Sequence, residues 1–179
     1  MPPLMAGVRR KRKIKMNELL PDILKQYIKP LAADRSDPGI VKIIEKFTDL
    51  YGEDYINSQI LTQHDAKGAL NKLGINEATS FYSFYLHSFE PPETYRSEDI
   101  FGLIEILGAK REAFESELPN NFLRISSIEG EFSLFYDINK DDVYGVDWSE
   151  SKDFIEGRLT PKFNSFFEFL NWYYSNAEE

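Results

Sequence analysis

Apolar residues in this chain change their spacing twice along its length, and those changes limit the folds open to it. Up to about His87 they recur at three and four residues, the period of an α-helix. After Asp99 they fall into short runs and alternations bounded by turn residues, the pattern of strands. The last stretch, from Phe166, returns to helical spacing. Helices, then an antiparallel meander, then a helix is an α+β arrangement with the helices packed on the sheet. At 179 residues the chain has one domain's length and can bury a core without staples.

Within the helical part, Asn17 is placed to cap a short helix carrying Leu20, Ile23, Leu24 and Tyr27 and ending near Pro30. Asp37-Pro38 is a stronger start: Asp37 accepts orphan amide hydrogens, and Pro38 loses nothing at the first helical position. Ile40, Ile44, Phe47 and Tyr51 then share one face, and Gly52 ends the helix. Thr62 and Asp65 are spaced as a capping pair for a third helix, with Leu70 and Leu73 inward and Gly74 as a left-handed stop. A fourth runs from Glu77 to His87, rich in Phe81, Tyr82, Phe84 and Tyr85, and Pro91-Pro92 closes the block.

The strand part opens with Phe101 to Leu107, read as a strand. Pro119-Asn120-Asn121 turns into the strand Phe122 to Ser126, and Glu129-Gly130 into Glu131 to Tyr136. Val143 to Trp148 follows. Alternation puts Phe122 with Arg124 on one side, and Phe132 with Leu134 on one side. Asn164 or Ser165 caps the closing helix, whose stripe is Phe166, Phe169, Leu170 and Tyr173.

Little of this carries catalytic chemistry. There are no cysteines, which excludes disulfides, thiolate metal sites and cysteine nucleophiles and suits a cytoplasmic protein. Asp137, Asn139 and Asp141 match the first, third and fifth positions of a calcium loop. Asp142 and Trp148 stand where its glycine and bidentate glutamate belong, so a hairpin with the polar turn Asn139 to Asp142 explains the residues better. His64 and His87 lack ligand spacing, and surface or capping roles are expected of both. Ser80, Ser83 and Ser88 lie outside any Gly-x-Ser-x-Gly elbow, and no glycine loop for phosphates occurs. Glu129 with Glu131 could do acid-base work only across a cleft set by folding. The expectation is a protein without cofactor, metal or catalytic residues.

Charge is more informative. The chain holds 30 acidic and 21 basic residues, net -9. Six of the basic ones, Arg9 to Lys13 and Lys15, fall within residues 1–15, which contain no acid. The rest keeps 15 basic against 30 acidic, a charge of -15. Residues 1–15 read as a basic disordered tail, or as an extension ahead of a start at Met16. They carry no interleaved aromatics to stack on bases, and the acidic body repels polyanions, so nucleic acid is not the expected partner. No apolar run approaches the roughly 20 residues of a membrane-spanning helix.

Several segments together carry a resemblance: Leu73-Gly74-Ile75, the aromatic helix Phe81 to Tyr85, Leu103 to Leu107, Pro119 through Trp148, and Phe163 to Leu170 with its Ser165-Phe166-Phe167-Glu168-Phe169-Leu170 pattern. Over roughly residues 60–175 they resemble the SUKH superfamily, which includes fungal regulators of cell-wall glucan synthesis and many bacterial immunity proteins. Ser88-Phe89-Glu90-Pro91 stands where a Gly-Gly pair often follows the aromatic helix, and a helical front, 16–60, lengthens the single domain 16–179. The resemblance implies a non-enzymatic, cytoplasmic immunity protein that neutralises a cognate toxin by direct binding. The alternative is a regulatory scaffold of the same fold, and a third reading is a hydrolase built on scattered carboxylates and His87. The charge supports a basic protein partner independently, because acidic surfaces steer to basic clefts. The candidate contacts are Asp141, Asp142, Asp147, Glu150 and Asp153.

Overall fold

The computed structural model describes residues 16–89, 96, 98–109, 114–128 and 131–175. The basic block before residue 16, the Pro91-Pro92 stop and the Glu129-Gly130 turn lie outside them. The chain is α+β, with several helices, a two-stranded and a three-stranded antiparallel sheet, and a C-terminal helix.

A short 3-10 turn, Met16–Leu19, leads into α1, Asp22–Lys25, and then into strand β1, Ile28–Pro30. The single helix expected from Asn17 to Pro30 is therefore divided. Pro21 stands between the turn and α1, where its missing N–H and fixed φ interrupt a continuous helix. Strand β2, His87–Phe89, pairs antiparallel with β1, Ile28 opposite Phe89 and Pro30 opposite His87. Three-residue strands are too short to show alternation, so in the sequence Ile28–Pro30 and His87 read as the ends of helices.

The next helices follow their caps. In α2, Pro38–Tyr51, Asp37 accepts the Gly39 and Ile40 N–H groups at 2.9 and 3.2 Å, and Gly52 leaves the helix at φ 90°. Short α3, Glu53–Ser58, follows directly. In α4, Gln63–Lys72, Thr62 Oγ1 accepts the Asp65 N–H at 3.2 Å, while the Asp65 carboxylate reaches back to the Leu61 N–H at 3.1 Å. Thr79 caps α5, Ser80–Tyr85, which is shorter than its aromatic content suggested because Leu86 already leads into β2.

Residues 103–107 correct the sequence reading. They form a helix, α6, Leu103–Gly108, not a strand. Leu103 and Ile106 are buried while Ile104 and Leu107 are exposed. Two adjacent apolar pairs separated by Glu105 satisfy a helical period as well as a strand, and packing decides between them.

Strands β3, Phe122–Arg124, β4, Ser133–Asp137, and β5, Val143–Val146, form the meander in that order. Phe135 lies opposite Tyr144, and Tyr136 opposite Val143. Both faces of β4 are covered. Leu134, Tyr136 and Val143 join the main core with α4, α5 and α8, Phe166–Tyr174. Phe135, Tyr144 and Val146 join a smaller core with Leu118 and with Phe154 of α7, Ser151–Ile155. Phe81 stacks on Tyr136 at 4.4 Å and meets Phe166 at 4.8 Å. Ser165, one of two expected caps, accepts the Glu168 N–H at 3.1 Å, and all four residues of the expected stripe on α8 are buried.

Candidate protein-docking site

The three-stranded sheet ends in a cleft. Where β5 stops at Val146, Asp147 and Glu150 form a reciprocal capping box over a 3-10 turn, Trp148–Glu150. The Glu150 carboxylate accepts the Asp147 N–H at 3.1 Å, and Asp147 accepts the Ser149 N–H at 2.9 Å. The Ser149 hydroxyl, donating to the same carboxylate at 2.6 Å, and the Ser149 N–H together hold the Asp147 carboxyl below its ordinary value. The turn throws Trp148 outward, leaving it 71% exposed. Its ring is held from behind by the edge of Phe114 at 5.5 Å.

Trp148 and Phe114 line a cleft of about 250 Å³ together with Val146, Phe132 and Ile128. Glu131 and Asp147, both exposed, add negative charge to its lining. Deeper lies an ion pair, Arg124 Nε to Glu115 Oε1 at 2.8 Å, with both side chains almost fully buried. Arg124 also faces the Phe101 ring at 5.4 Å and donates to the Ser126 carbonyl. The pair holds the 114–118 segment on the sheet, since a buried charge without its partner would be costly by several kcal/mol, about 3 to 5. Gly145 is constrained here by space: a Cβ would stand 3.0 Å from the Phe132 ring and 3.1 Å from Lys162. Lys162 Nζ sits 3.8 Å over that ring, and burial pulls its pKa down.

The five acidic residues singled out by sequence do not form one patch. Asp141 and Asp142 are at one end of β5 and Asp147 is at the other, about 16 Å along an extended strand. Asp141, at φ 64°, turns inward. Its carboxylate accepts the Tyr136 hydroxyl at 2.8 Å and the Phe166 N–H at the start of α8. Burial raises its pKa, and burial also raises that of Asp142. Asp153 is exposed but paired with Arg158 at 2.6 Å. Asp147 and Glu150 remain together, flanking Trp148.

The calcium-like residues are engaged in the hairpin itself. Asp137 accepts the Asn121 side-chain amide at 2.8 Å and the Asn139 N–H at 2.9 Å. Among the described residues no group of three or more His, Asp or Glu is gathered to hold a metal. His87 Nδ1 lies 2.7 Å from the Ser83 carbonyl, at the end of α5, and His64 is exposed at the start of α4. Sequence reasoning placed Trp148 in a strand and so missed it. A tryptophan between acids directly after a strand was the available signal.

Among the described residues no helix is long and apolar enough to cross a membrane. Comparison of the chain with known protein families, curated proteins and solved structures finds no match.

Proposed function

We propose that the protein is a non-enzymatic binding protein of the immunity type, which neutralises a toxin with a basic cleft by docking its Asp147-Trp148-Glu150 edge there. The observation that carries this reading is Trp148, 71% exposed and flanked by carboxylates, beside a cleft lined by both apolar and acidic side chains. Exposing an indole to water is unfavourable for an isolated chain, and tryptophan is among the residues that most often dominate binding energy at interfaces. A cleft of about 250 Å³ is smaller than most small-molecule pockets. It suits one long side chain of a partner, and its acidic lining favours a basic one. The excess of 30 acidic over 21 basic residues would speed encounter with a basic protein. The likeness of residues 60–175 to the SUKH superfamily points the same way.

The test is co-expression of the tagged chain with the product of the neighbouring gene, followed by calorimetry on the purified pair. Trp148→Ala should weaken the complex at least tenfold. Asp147→Lys with Glu150→Lys should weaken it further at low salt than at high salt. Unchanged affinity in both variants, with circular dichroism intact, would overturn the reading. Capture of several host proteins and no toxin would favour the regulatory scaffold.

A further inference from the structure

Cations of this chain lie over its aromatic rings in three places. The Arg96 guanidinium is 4.2 Å from the Trp172 ring, Lys162 Nζ is 3.8 Å from the Phe132 ring, and the Arg124 guanidinium is 5.4 Å from the Phe101 ring. The negative face of each ring attracts the positive charge over it. Trp148, at 71% exposure the more open of the two tryptophans, carries no such cation among the described residues.

The charges around the cleft say where a further cation would rest. Arg124, paired with Glu115, belongs to its deeper part, and Lys162 already covers Phe132, which lines it. A cation pushed inward would meet both positive charges. Beside Trp148 it meets Asp147 and Glu131 instead, both exposed. The Ser149 N–H and hydroxyl both donate to Oδ1 of Asp147, so neither occupies Oδ2, and together they keep that carboxyl ionised. Ile128, 58% exposed, adds apolar surface to the same lining.

We propose that this cleft takes an arginine side chain of the partner, with the guanidinium flat on the Trp148 indole and its N–H groups directed at the Asp147 carboxylate. A guanidinium is planar and weakly hydrated, and its donors all lie in its own plane, so stacking on a ring leaves them available to a carboxylate at the side. An ammonium is a compact, strongly hydrated charge that turns N–H groups toward any ring it covers. Lysine therefore gains one contact at the expense of the other. The arginine stem packs on Ile128, as long basic side chains do on apolar surface, and Glu131 adds to the attraction. A cleft of about 250 Å³ has room for one such side chain, and arginine is among the residues enriched where binding energy concentrates. The inference rests on the Trp148 edge being the docking surface and adds which side chain of the partner enters it.

The probe is N-acetyl-arginine N-methylamide, titrated at low salt into the isotope-labelled full chain while backbone amide and indole N–H signals are followed by nuclear magnetic resonance. The Trp148 indole signal, identified by its loss in Trp148→Leu, should shift saturably with a Kd of about 1 to 10 mM, and the Trp172 signal should move far less. The lysine analogue has the same charge and should bind more weakly by about fivefold or more, while the neutral citrulline analogue should give no saturable shift up to about 50 mM. Asp147→Asn should weaken arginine binding by about threefold or more, and Trp148→Leu should abolish it at the surrounding amides with circular dichroism unchanged. Absence of a saturable shift with arginine, or lysine bound as tightly as arginine, overturns the inference. If Trp148→Ala nevertheless weakens the toxin complex, the docking surface stands and only its arginine occupant falls.

Discussion

Two aspartates with opposite pKa shifts show how single side chains divide between holding the fold and straining it. Burial acts to raise Asp65, but the Leu61 N–H, the Arg35 guanidinium and the Thr62 hydroxyl together carry it below its ordinary value. Its stabilising effect is therefore complete above the usual carboxylate range and lost as pH falls through its depressed pKa. Asp141 is raised, chiefly by burial and despite hydrogen bonds from Tyr136 and Phe166. Its folded form prefers the proton, so its ionisation lowers stability as pH rises from its unfolded value through its raised one. Asn at 141 would keep an acceptor for Tyr136, tolerate φ 64° as few residues do, and carry no charge. The expected outcome is that Asp141→Asn melts higher than the unmodified protein at pH 7, with the difference shrinking on acidification to about pH 3, where both are neutral. A difference that does not change with pH would refute burial of the charge as its origin.

At the level of elements, α2 and α3 depend on one arginine. Arg35 joins α3 to α4 through its contacts with Asp65, Ile56 and Gln59. Arg35→Ala should cost about 1 to 3 kcal/mol, the range for losing hydrogen bonds to a charged group. Hydrogen exchange should speed up across residues 38–58 before it does in the sheet. Because Asp65 is depressed, the same opening should occur in the unmodified protein only below about pH 4, while Asp65→Asn should show it already at neutral pH. Exchange that stays uniform across the chain would show that the clasp does not hold this region.

In the whole molecule the sheet is shared between two cores. Strand β4 gives Leu134 and Tyr136 to one and Phe135 to the other, which couples the two cores through a shared strand. The two tryptophans report on the two sides: Trp172 packs against the main core, and Trp148 lies beside Phe114 of the smaller one. Phe135→Ala should destabilise by about 3 to 5 kcal/mol. In single-tryptophan variants Trp148 and Trp172 fluorescence should then show the same lowered midpoint. Separate midpoints would mean that the smaller core unfolds alone.

Much of this architecture was legible in the residues, and the reason is local. Asp37-Pro38, Thr62, Gly74 and Ser165 work through their own backbone neighbours, so caps and stops read correctly without any knowledge of the fold. The meander was legible because turn residues separate its strands. Segment 103–107 was not, since its two apolar pairs fit either period until Leu103 and Ile106 met the core. Strands β1 and β2 were hidden because each exists only through pairing with a segment some sixty residues away. The candidate site divides the same way. The sequence supplied the acids, but only packing turned Asp141 inward and left Asp147 and Glu150 around Trp148. Local hydrogen bonding and spacing are written residue by residue; which face is buried and which is offered to a partner depends on distant segments competing for the same core.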